Sequence, residues 1–329
     1  MTQPANTPTP EEVRAAYKKI ENKVRKTPVW QWKGEVAEEL IGSETEIYLK
    51  MELFQYGGSF KPRGALVNMQ DLSHEQLQKG VTAVSAGNHA IAVAFAANQM
   101  NTAAKVVMPK SANKYRVEKC KLMGAQVELV DNVHQAFERV EEIEREEQRV
   151  FIHPFEGRLT AIGTATVGQE LYEQVPDLDT VIIPIGGGGL CAGIASYIKQ
   201  IHPTCTIYGV EPMGADSMSK SLKAGNPQSI DSVETIADSL GSPRAEPYSF
   251  SLCQQFVDEV VLVSDQELAR AMKTTFEELK LAVEPAGASA LAALMGPLLP
   301  RVRGQKVGLI KCGTNINTEG FNEISEQYL

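Results

Sequence analysis

The sequence predicts an α/β protein built on open parallel sheets, and two observations support this prediction. Short runs rich in aliphatic residues recur along the 329-residue chain, and most are separated by stretches with helical periodicity. The predicted strands cover residues 46–51, 81–86, 105–109, 126–130, 180–185, 206–211, 259–264 and 306–311. Because apolar strands joined by crossover helices form parallel sheets covered on both faces, this order of elements indicates an open α/β architecture.

Two helices are predicted from local signals. Thr9, Pro10 and Glu12 supply an N-cap, a proline at the first helical position and a capping-box glutamate, and they predict a helix over about 10–26. The glutamate-rich segment 131–149 carries one apolar stripe, formed by Val133, Ala136, Phe137, Val140 and Ile143. This pattern predicts a helix with one solvated face.

Composition excludes several classes of protein. The 32 basic and 41 acidic residues give a net charge of -9 with no basic tract, which argues against nucleic-acid binding. The longest uncharged run, 181–198, holds a proline and five glycines and is not a membrane span. Residues 1–10 lack the features of a secretory signal and read as a short disordered lead. Five dispersed cysteines without a CxxC pair favour a reducing cytoplasm.

Four consecutive glycines, Gly186, Gly187, Gly188 and Gly189, stand between a predicted strand and a predicted helix. Each costs roughly 0.5 to 1 kcal/mol against alanine in regular structure, so the run needs a purpose. Unobstructed amides at a helix amino terminus form a phosphate cradle. Residues 187–192 also fit a GxGxxA dinucleotide fingerprint with Glu211 as the ribose-binding acid, so an NAD-dependent dehydrogenase remains an alternative.

Three further motifs carry candidate chemistry. Lys61 lies between a glycine-rich turn and Pro62, a setting that suits a lysine that must react with a carbonyl group. Residues 85–89 (SAGNH) follow a strand and open a helix, where amides and polar side chains suit a carboxylate or a ring hydroxyl. Residues 311–315 follow the last strand. Because strand ends of open α/β sheets face one crevice, we expect these motifs to meet.

These motifs resemble the fold type II pyridoxal-phosphate (PLP) enzymes, and within them the serine/threonine dehydratases and serine racemases. The resemblance rests on SFKPRGA at 59–65, SAGNHA at 85–90, GGGGL at 186–190, VEPAG at 283–287 and CGTN at 312–315. It implies the tryptophan synthase β-like architecture, with a large PLP-binding domain from 1–54 and 156–329 and a small substrate-binding domain from 55–155. It also implies a homodimer.

The same resemblance implies a role for each site residue. Lys61 would form the Schiff base with the cofactor and move the Cα proton. Phe60 would lie beside the cofactor ring, Asn88 would bind its 3-hydroxyl, and Glu284 would lie near the ring. The phosphate would lie on Gly186, Gly187, Gly188, Gly189 and Leu190. Cys312 stands where relatives usually carry serine, at the ring nitrogen. The substrate carboxylate would lie on Ser85, Ala86, Gly87, Asn88 and His89.

The implied reaction removes water from a 3-hydroxy amino acid and yields a 2-oxo acid and ammonia. Ala86 occupies the position of the acid/base serine of serine racemases, so we expect racemisation to be weak. Ser239 replaces a glycine that is common near the substrate pocket in the relatives. The side chain of the substrate therefore stays open among serine, threonine, 3-hydroxyaspartate and phenylserine. A second substrate carboxylate would need a cation, and the candidates are Arg63, Arg158 and Arg244. A racemase and a non-catalytic PLP or amino-acid binding protein remain alternatives.

Glu211, Ala215 and Ser217 align with a divalent-cation site of some relatives. Hard oxygen ligands would suit Mg²⁺, but the relatives carry Asp where Ser217 stands, and Asp216 is shifted by one position. The chain also ends soon after residues 312–315, so we expect no regulatory domain after them and a catabolic role.

Overall fold

The computed structural model describes residues 6–329 and contains ten strands. They are β1 (Val29–Trp32), β2 (Glu46–Lys50), β3 (Val81–Val84), β4 (Ala104–Pro109), β5 (Gln126–Val130), β6 (Val150–Phe151), β7 (Thr180–Pro184), β8 (Thr206–Pro212), β9 (Glu259–Val263) and β10 (Lys306–Ile310). All eight predicted strands are present. The two that the sequence pattern missed are β1 and the two-residue β6.

The strands form two sheets. The larger sheet has the order β1-β2-β10-β7-β8-β9, and only the edge strand β1 is antiparallel to its neighbour. The smaller sheet has the order β5-β4-β3-β6 and is parallel throughout. Every strand of the smaller sheet lies within residues 55–155, although the two domain boundaries themselves stay a prediction.

Fourteen α-helices occupy the described residues. They are α1 (Pro10–Ile20), α2 (Glu35–Ile41), α3 (Pro62–Gln70), α4 (His74–Lys79), α5 (Asn88–Gln99), α6 (Lys114–Leu122), α7 (Val133–Glu147), α8 (Arg158–Gln174), α9 (Gly189–Ile201), α10 (Ser217–Ala224), α11 (Pro247–Phe256), α12 (Asp265–Leu279), α13 (Pro285–Met295) and α14 (Thr318–Tyr328). Strands β4 and β7 are buried along their whole length because helices cover both faces of each sheet.

Local signals located the helices better than they located the helix ends. The Thr9 capping box is present, but α1 ends at Ile20 rather than near residue 26. In α7 only Ala136, Val140 and Ile143 of the predicted stripe are buried, whereas Val133 and Phe137 are exposed. The apolar face of α7 is therefore narrower than the sequence pattern suggested.

Other predictions concern the termini and the cysteines. Residues 1–5 of the predicted disordered lead lie outside the described residues, and Thr7 and Pro8 are buried, so the lead is packed from residue 7. All five cysteines are free. Within residues 6–329, no helix is both long and apolar enough to cross a bilayer.

Candidate active site

Lys61 is held between the two sheets by the chain that follows β10. Ser59 forms an antiparallel bridge with Gly313, the Phe60 amide donates to the Cys312 carbonyl (3.2 Å), and the amide of residue 314 donates to the carbonyl of residue 58 (2.9 Å). Helix α3 begins at the next residue, Pro62. The lysine backbone is therefore fixed on both sides.

The Lys61 side chain lies in a pocket shared with the glycine run. Its Nζ donates to the Pro154 carbonyl (2.6 Å) and lies 5.2 Å from the centre of the Phe60 ring. The pocket is lined by Phe60, His89, His153, Pro154, Phe155, Thr160, Thr164, Gly189 and Leu190, among others. Burial lowers the pKa of Lys61 to about 8, while Cys312 and Glu284 oppose that shift. The amine is thus much closer to neutrality than a surface lysine.

The glycine run connects β7 to α9. Gly188 has φ +96°, and a Cβ at Gly187 would collide with the Phe155 ring, so both positions require glycine for conformation or close packing. Among the described residues, the amides of Gly187 to Leu190 meet no protein acceptor. These amides stand at the amino terminus of a 13-residue helix, where the backbone carries partial positive charge. The run can therefore hold an anion.

The loop of residues 85–89 forms a second such site at the start of α5. Ser85 Oγ accepts from the Gly87 amide (3.0 Å), and within the described chain the Asn88 and His89 amides meet no acceptor. His89 Nε2 hydrogen-bonds the Ile152 carbonyl (2.7 Å), and burial lowers its pKa to about 3. His89 is therefore neutral and part of the packing. Ala86 is exposed.

Asn88 is fixed by side chains from three segments. Its Nδ2 donates to Glu284 Oε1 (2.5 Å) and to Ser239 Oγ (3.3 Å), and its Oδ1 accepts from Asn315 Nδ2 (2.5 Å). Burial raises the pKa of Glu284 to about 7, while Arg116 opposes that shift. A Cβ at Gly313 would collide with the Glu284 carboxylate, which explains the glycine in CGTN.

Cys312 lies at the carboxyl end of β10 and is almost fully buried. Burial is the largest cause that raises the pKa of its thiol, and the neighbouring Glu284 raises it further. The thiol is therefore neutral at physiological pH.

Several residues of this region were not anticipated from the sequence: the pocket residues between His153 and Thr164, and the pair formed by Arg116 and Asp238. Arg116 on α6 donates from Nε to the Asn315 carbonyl (3.0 Å) and from its terminal nitrogens to Asp238. Neither Arg116 nor Asp238 belongs to a motif, and 122 residues separate them. Asn315 did carry a signal, because it is the last residue of CGTN.

The three arginines predicted as candidates for a second substrate carboxylate already have carboxylate partners. Arg63 is fully buried and pairs with Glu52 and Glu170 (2.8 Å each). The other two pairs are Arg158 with Glu12 (2.6 Å) and Arg244 with Glu246 (2.6 Å). Arg63 is therefore unavailable to a substrate, whereas Arg244 is 63% exposed and lies close enough to the pocket residue His153 to lower its pKa.

The structure does not support the predicted Mg²⁺ site. Both carboxylate oxygens of Glu211 accept from amides at the start of α10, those of Met218 and Ser219 (2.8 Å each). Ser217 Oγ is buried without a partner. Across residues 6–329, no group of three His, Cys, Asp or Glu side chains lies close enough to hold a metal ion. The capping role of Glu211 also contradicts its alternative assignment as a ribose-binding acid.

Fold and site together define the class of protein. The family model described as "Pyridoxal-phosphate dependent enzyme" matches residues 20–313, and the chain belongs to that family. The predicted fold type II architecture is confirmed by solved structures: maize serine racemase has a TM-score of 0.90 and 35% identity, with 98% of each chain covered.

Two relatives indicate the reaction class within this family. The chain is 50% identical to a phenylserine dehydratase from Ralstonia pickettii over 277 residues, which are 84% of this chain and 85% of the relative. It is 36% identical to an L-threonine ammonia-lyase from Thermotoga maritima over 317 residues, which are 96% of this chain and 78% of the relative. The chain is thus a PLP-dependent lyase of the ammonia-lyase type.

The residues present fit this cofactor. A phosphate matches the acceptor-free amides of residues 187–190, and an aldehyde matches the amine of Lys61. Cys312 and Glu284, the latter hydrogen-bonded to Asn88, lie close enough to Lys61 to influence its pKa.

The lowered pKa of Lys61 predicts how cofactor uptake depends on pH. Covalent attachment of the cofactor aldehyde needs the neutral amine, so the uptake rate of cofactor-free protein should rise with pH and level off above about pH 8. Stopped-flow absorbance after mixing with PLP measures this rate, and Lys61→Ala gives the background. A rate that keeps rising toward pH 10.5, the ordinary value for lysine, would contradict the burial argument.

Proposed function

We propose that this enzyme removes water from a 3-hydroxy amino acid with an uncharged side chain, giving a 2-oxo acid and ammonia. The observation that carries the proposal is the convergence of Lys61 with two helix amino termini whose amides lack acceptors in the described chain. One terminus suits a cofactor phosphate and the other a substrate carboxylate. The amine between them can exchange a proton.

When bound, PLP supplies the conjugated electron sink that stabilises negative charge on the substrate Cα. The amides of residues 186–190 would hold its phosphate, and the Asn88 amide group, fixed by Glu284 and Asn315, would bind its 3-hydroxyl. The neutral Lys61 amine would take the Cα proton and pass it to the β-hydroxyl, which leaves as water.

Cys312 and Ala86 bias the enzyme toward elimination. A neutral Cys312 thiol would give no charge to the ring nitrogen of bound PLP, which would weaken the stabilisation of negative charge on Cα and favour prompt loss of the β-hydroxyl. Ala86 presents a methyl group, which cannot deliver a proton to the face opposite Lys61. Racemisation is therefore a minor reaction in this proposal, although serine racemases are among the similar proteins.

The buried pairing of Arg63 and the aromatic lining of the pocket favour a substrate without a second carboxylate, and Arg244 is the one exposed cation of the three. Arg63, Arg158 and Arg244 each already pair with a carboxylate. The pocket beside Lys61 is instead lined by aromatic rings, and those of His153 and Phe155 lie edge to face with centroids 4.8 Å apart. Together with the 50% identical phenylserine dehydratase, this lining favours phenylserine over 3-hydroxyaspartate.

A substrate panel tests the proposal. We expect 2-oxo acid release from phenylserine with a kcat/KM at least about tenfold above that for serine or threonine, a difference of about 1.4 kcal/mol. We expect no release from 3-hydroxyaspartate. Chiral chromatography of the remaining substrate should show racemisation far slower than elimination. Release from 3-hydroxyaspartate as fast as from phenylserine, or interconversion of L- and D-serine as fast as pyruvate formation, would contradict these assignments.

We retain the homodimer from the family resemblance and the cytoplasmic location from the cysteine content as parts of this proposal. Five free cysteines are compatible with a reducing compartment. We do not assign Mg²⁺ to the enzyme, because the Glu211 carboxylate is used to cap α10.

A further inference from the structure

Helix α6, beside the smaller sheet, makes several polar contacts with segments that flank the larger sheet. Arg116 and Lys119, one turn apart on α6, both reach Asn315 in the segment after β10: Arg116 Nε donates to its carbonyl (3.0 Å), and Lys119 Nζ donates to its Oδ1 (2.6 Å). Arg116 also pairs with Asp238 in the segment before α11. These contacts join parts of the chain that are remote in sequence.

The guanidinium group of Arg116 is committed to these contacts. The residue is 6% exposed, and its three nitrogens donate to Asn315, Asp238 and Glu284, the last at 3.4 Å. The planar fork of arginine can serve several acceptors at fixed angles, which a lysine ammonium cannot reproduce. Burial of a guanidinium group costs free energy unless its donors are paired. The paired contacts of Arg116 therefore restrict its side chain to one orientation.

The acceptors of Arg116 include two of the three residues that orient Asn88. Asn315 donates to Asn88 Oδ1, and Glu284 accepts from Asn88 Nδ2. The guanidinium also packs against the backbone of Gly87, where a Cβ would lie 3.0 Å from Arg116 Nη1. Arg116 thus touches the anion-binding loop on one side and the partners of Asn88 on the other.

We propose that Arg116 is a positioning residue that couples the seating of α6 on the larger sheet to the orientation of Asn88 and the 85–89 loop. Its effect on catalysis rests on the proposed function, but its structural effect exists in the cofactor-free protein. Without the guanidinium group, Asn315 and Glu284 each lose a hydrogen-bond donor. The 85–89 loop also loses the side chain that packs against the backbone of Gly87.

Hydrogen exchange on the cofactor-free protein tests the coupling. Arg116→Ala should raise exchange at least about tenfold in peptides covering 84–90 and 312–317, as expected for loss of hydrogen bonds to a charged group. Lys121→Ala is the matched control, because Lys121 lies on the same helix but pairs with Glu118 on the surface. Arg116→Lys should restore part of the protection, since it keeps the charge and loses the fork.

Two further measurements complete the test. Asp238→Asn replaces one acceptor oxygen of a side chain that is 57% exposed, and it buries no new charge. This variant is used for the exchange measurement if Arg116→Ala does not fold. The Arg116 variants should bind PLP at least about tenfold more weakly than Lys121→Ala, measured by absorbance titration. Exchange in 84–90 equal to that of Lys121→Ala for both Arg116→Ala and Asp238→Asn would overturn the proposal. Failure of the proposed function would instead appear as inactive wild-type protein with this exchange pattern intact.

Discussion

Replacing Lys61 by alanine is expected to reduce 2-oxo acid formation by about a thousandfold or more while leaving the fold intact. The Lys61 amine is partly buried in the pocket, and its pKa is lowered. A side chain positioned for acid/base catalysis contributes about 10²- to 10⁴-fold to the rate. Among the described residues, the only hydrogen bond of the Lys61 side-chain amine goes to the Pro154 carbonyl, so truncation leaves one acceptor unpaired. Steady-state assays with phenylserine measure the loss.

Lys121→Ala is the control for this prediction as well. Lys121 pairs with Glu118 at the surface, and such an exposed ion pair contributes little to stability. Exogenous methylamine should restore part of the activity of Lys61→Ala, since a small amine can enter the space left by the side chain. Activity of Lys61→Ala within tenfold of the control would show that another group moves the proton.

Replacing Glu170 by alanine is expected to lower the free energy of unfolding by about 3–5 kcal/mol. Glu170 on α8 is fully buried and accepts from Lys50 Nζ (2.6 Å) and from both terminal nitrogens of Arg63 (2.8 and 2.9 Å). Glu52 supplies the second carboxylate of the group. Two cations and two carboxylates balance inside the protein, and removal of one carboxylate leaves a buried positive charge uncompensated.

Urea unfolding of the cofactor-free protein measures this loss. Glu173→Ala is the matched control on the same helix: Glu173 pairs with Lys26 at the surface (3.0 Å), and its removal should cost less than about 1 kcal/mol. Equal midpoints and slopes for the two variants would contradict the account of the buried group. Because Arg63 follows Lys61 by two residues, we also expect Glu170→Ala to weaken PLP binding.

The sequence predicted the fold and the core of the site because both depend on strand ends. Parallel strands of one sheet place their carboxyl ends at the same edge, so the residues after β7 and β10, neighbours in the larger sheet, were expected to lie close together. The residues after β3 belong to the smaller sheet, and the sequence alone did not show how the two sheets face each other. Lys61 was located by its glycine-rich setting rather than by a strand. The edge strand β1 and the two-residue β6 are too short or too mixed to carry a strand pattern.

The charged contacts could not be predicted from the sequence. Arg116 and Asp238 pair across 122 residues, and Lys50 and Glu170 across 120, in stretches whose local pattern is that of an ordinary helix or strand. The same limit applies to Glu211. Its position suggested a cation or a ribose, and only the structure shows both oxygens on the first turn of α10.

The central claim is that Lys61 holds PLP in this pocket, and borohydride trapping tests it most directly. Protein loaded with PLP should absorb visible light, lose that absorbance on reduction and carry the added mass on one peptide, the one that contains Lys61. A protein that remains colourless with PLP, or that carries the label on a different lysine, would contradict the account.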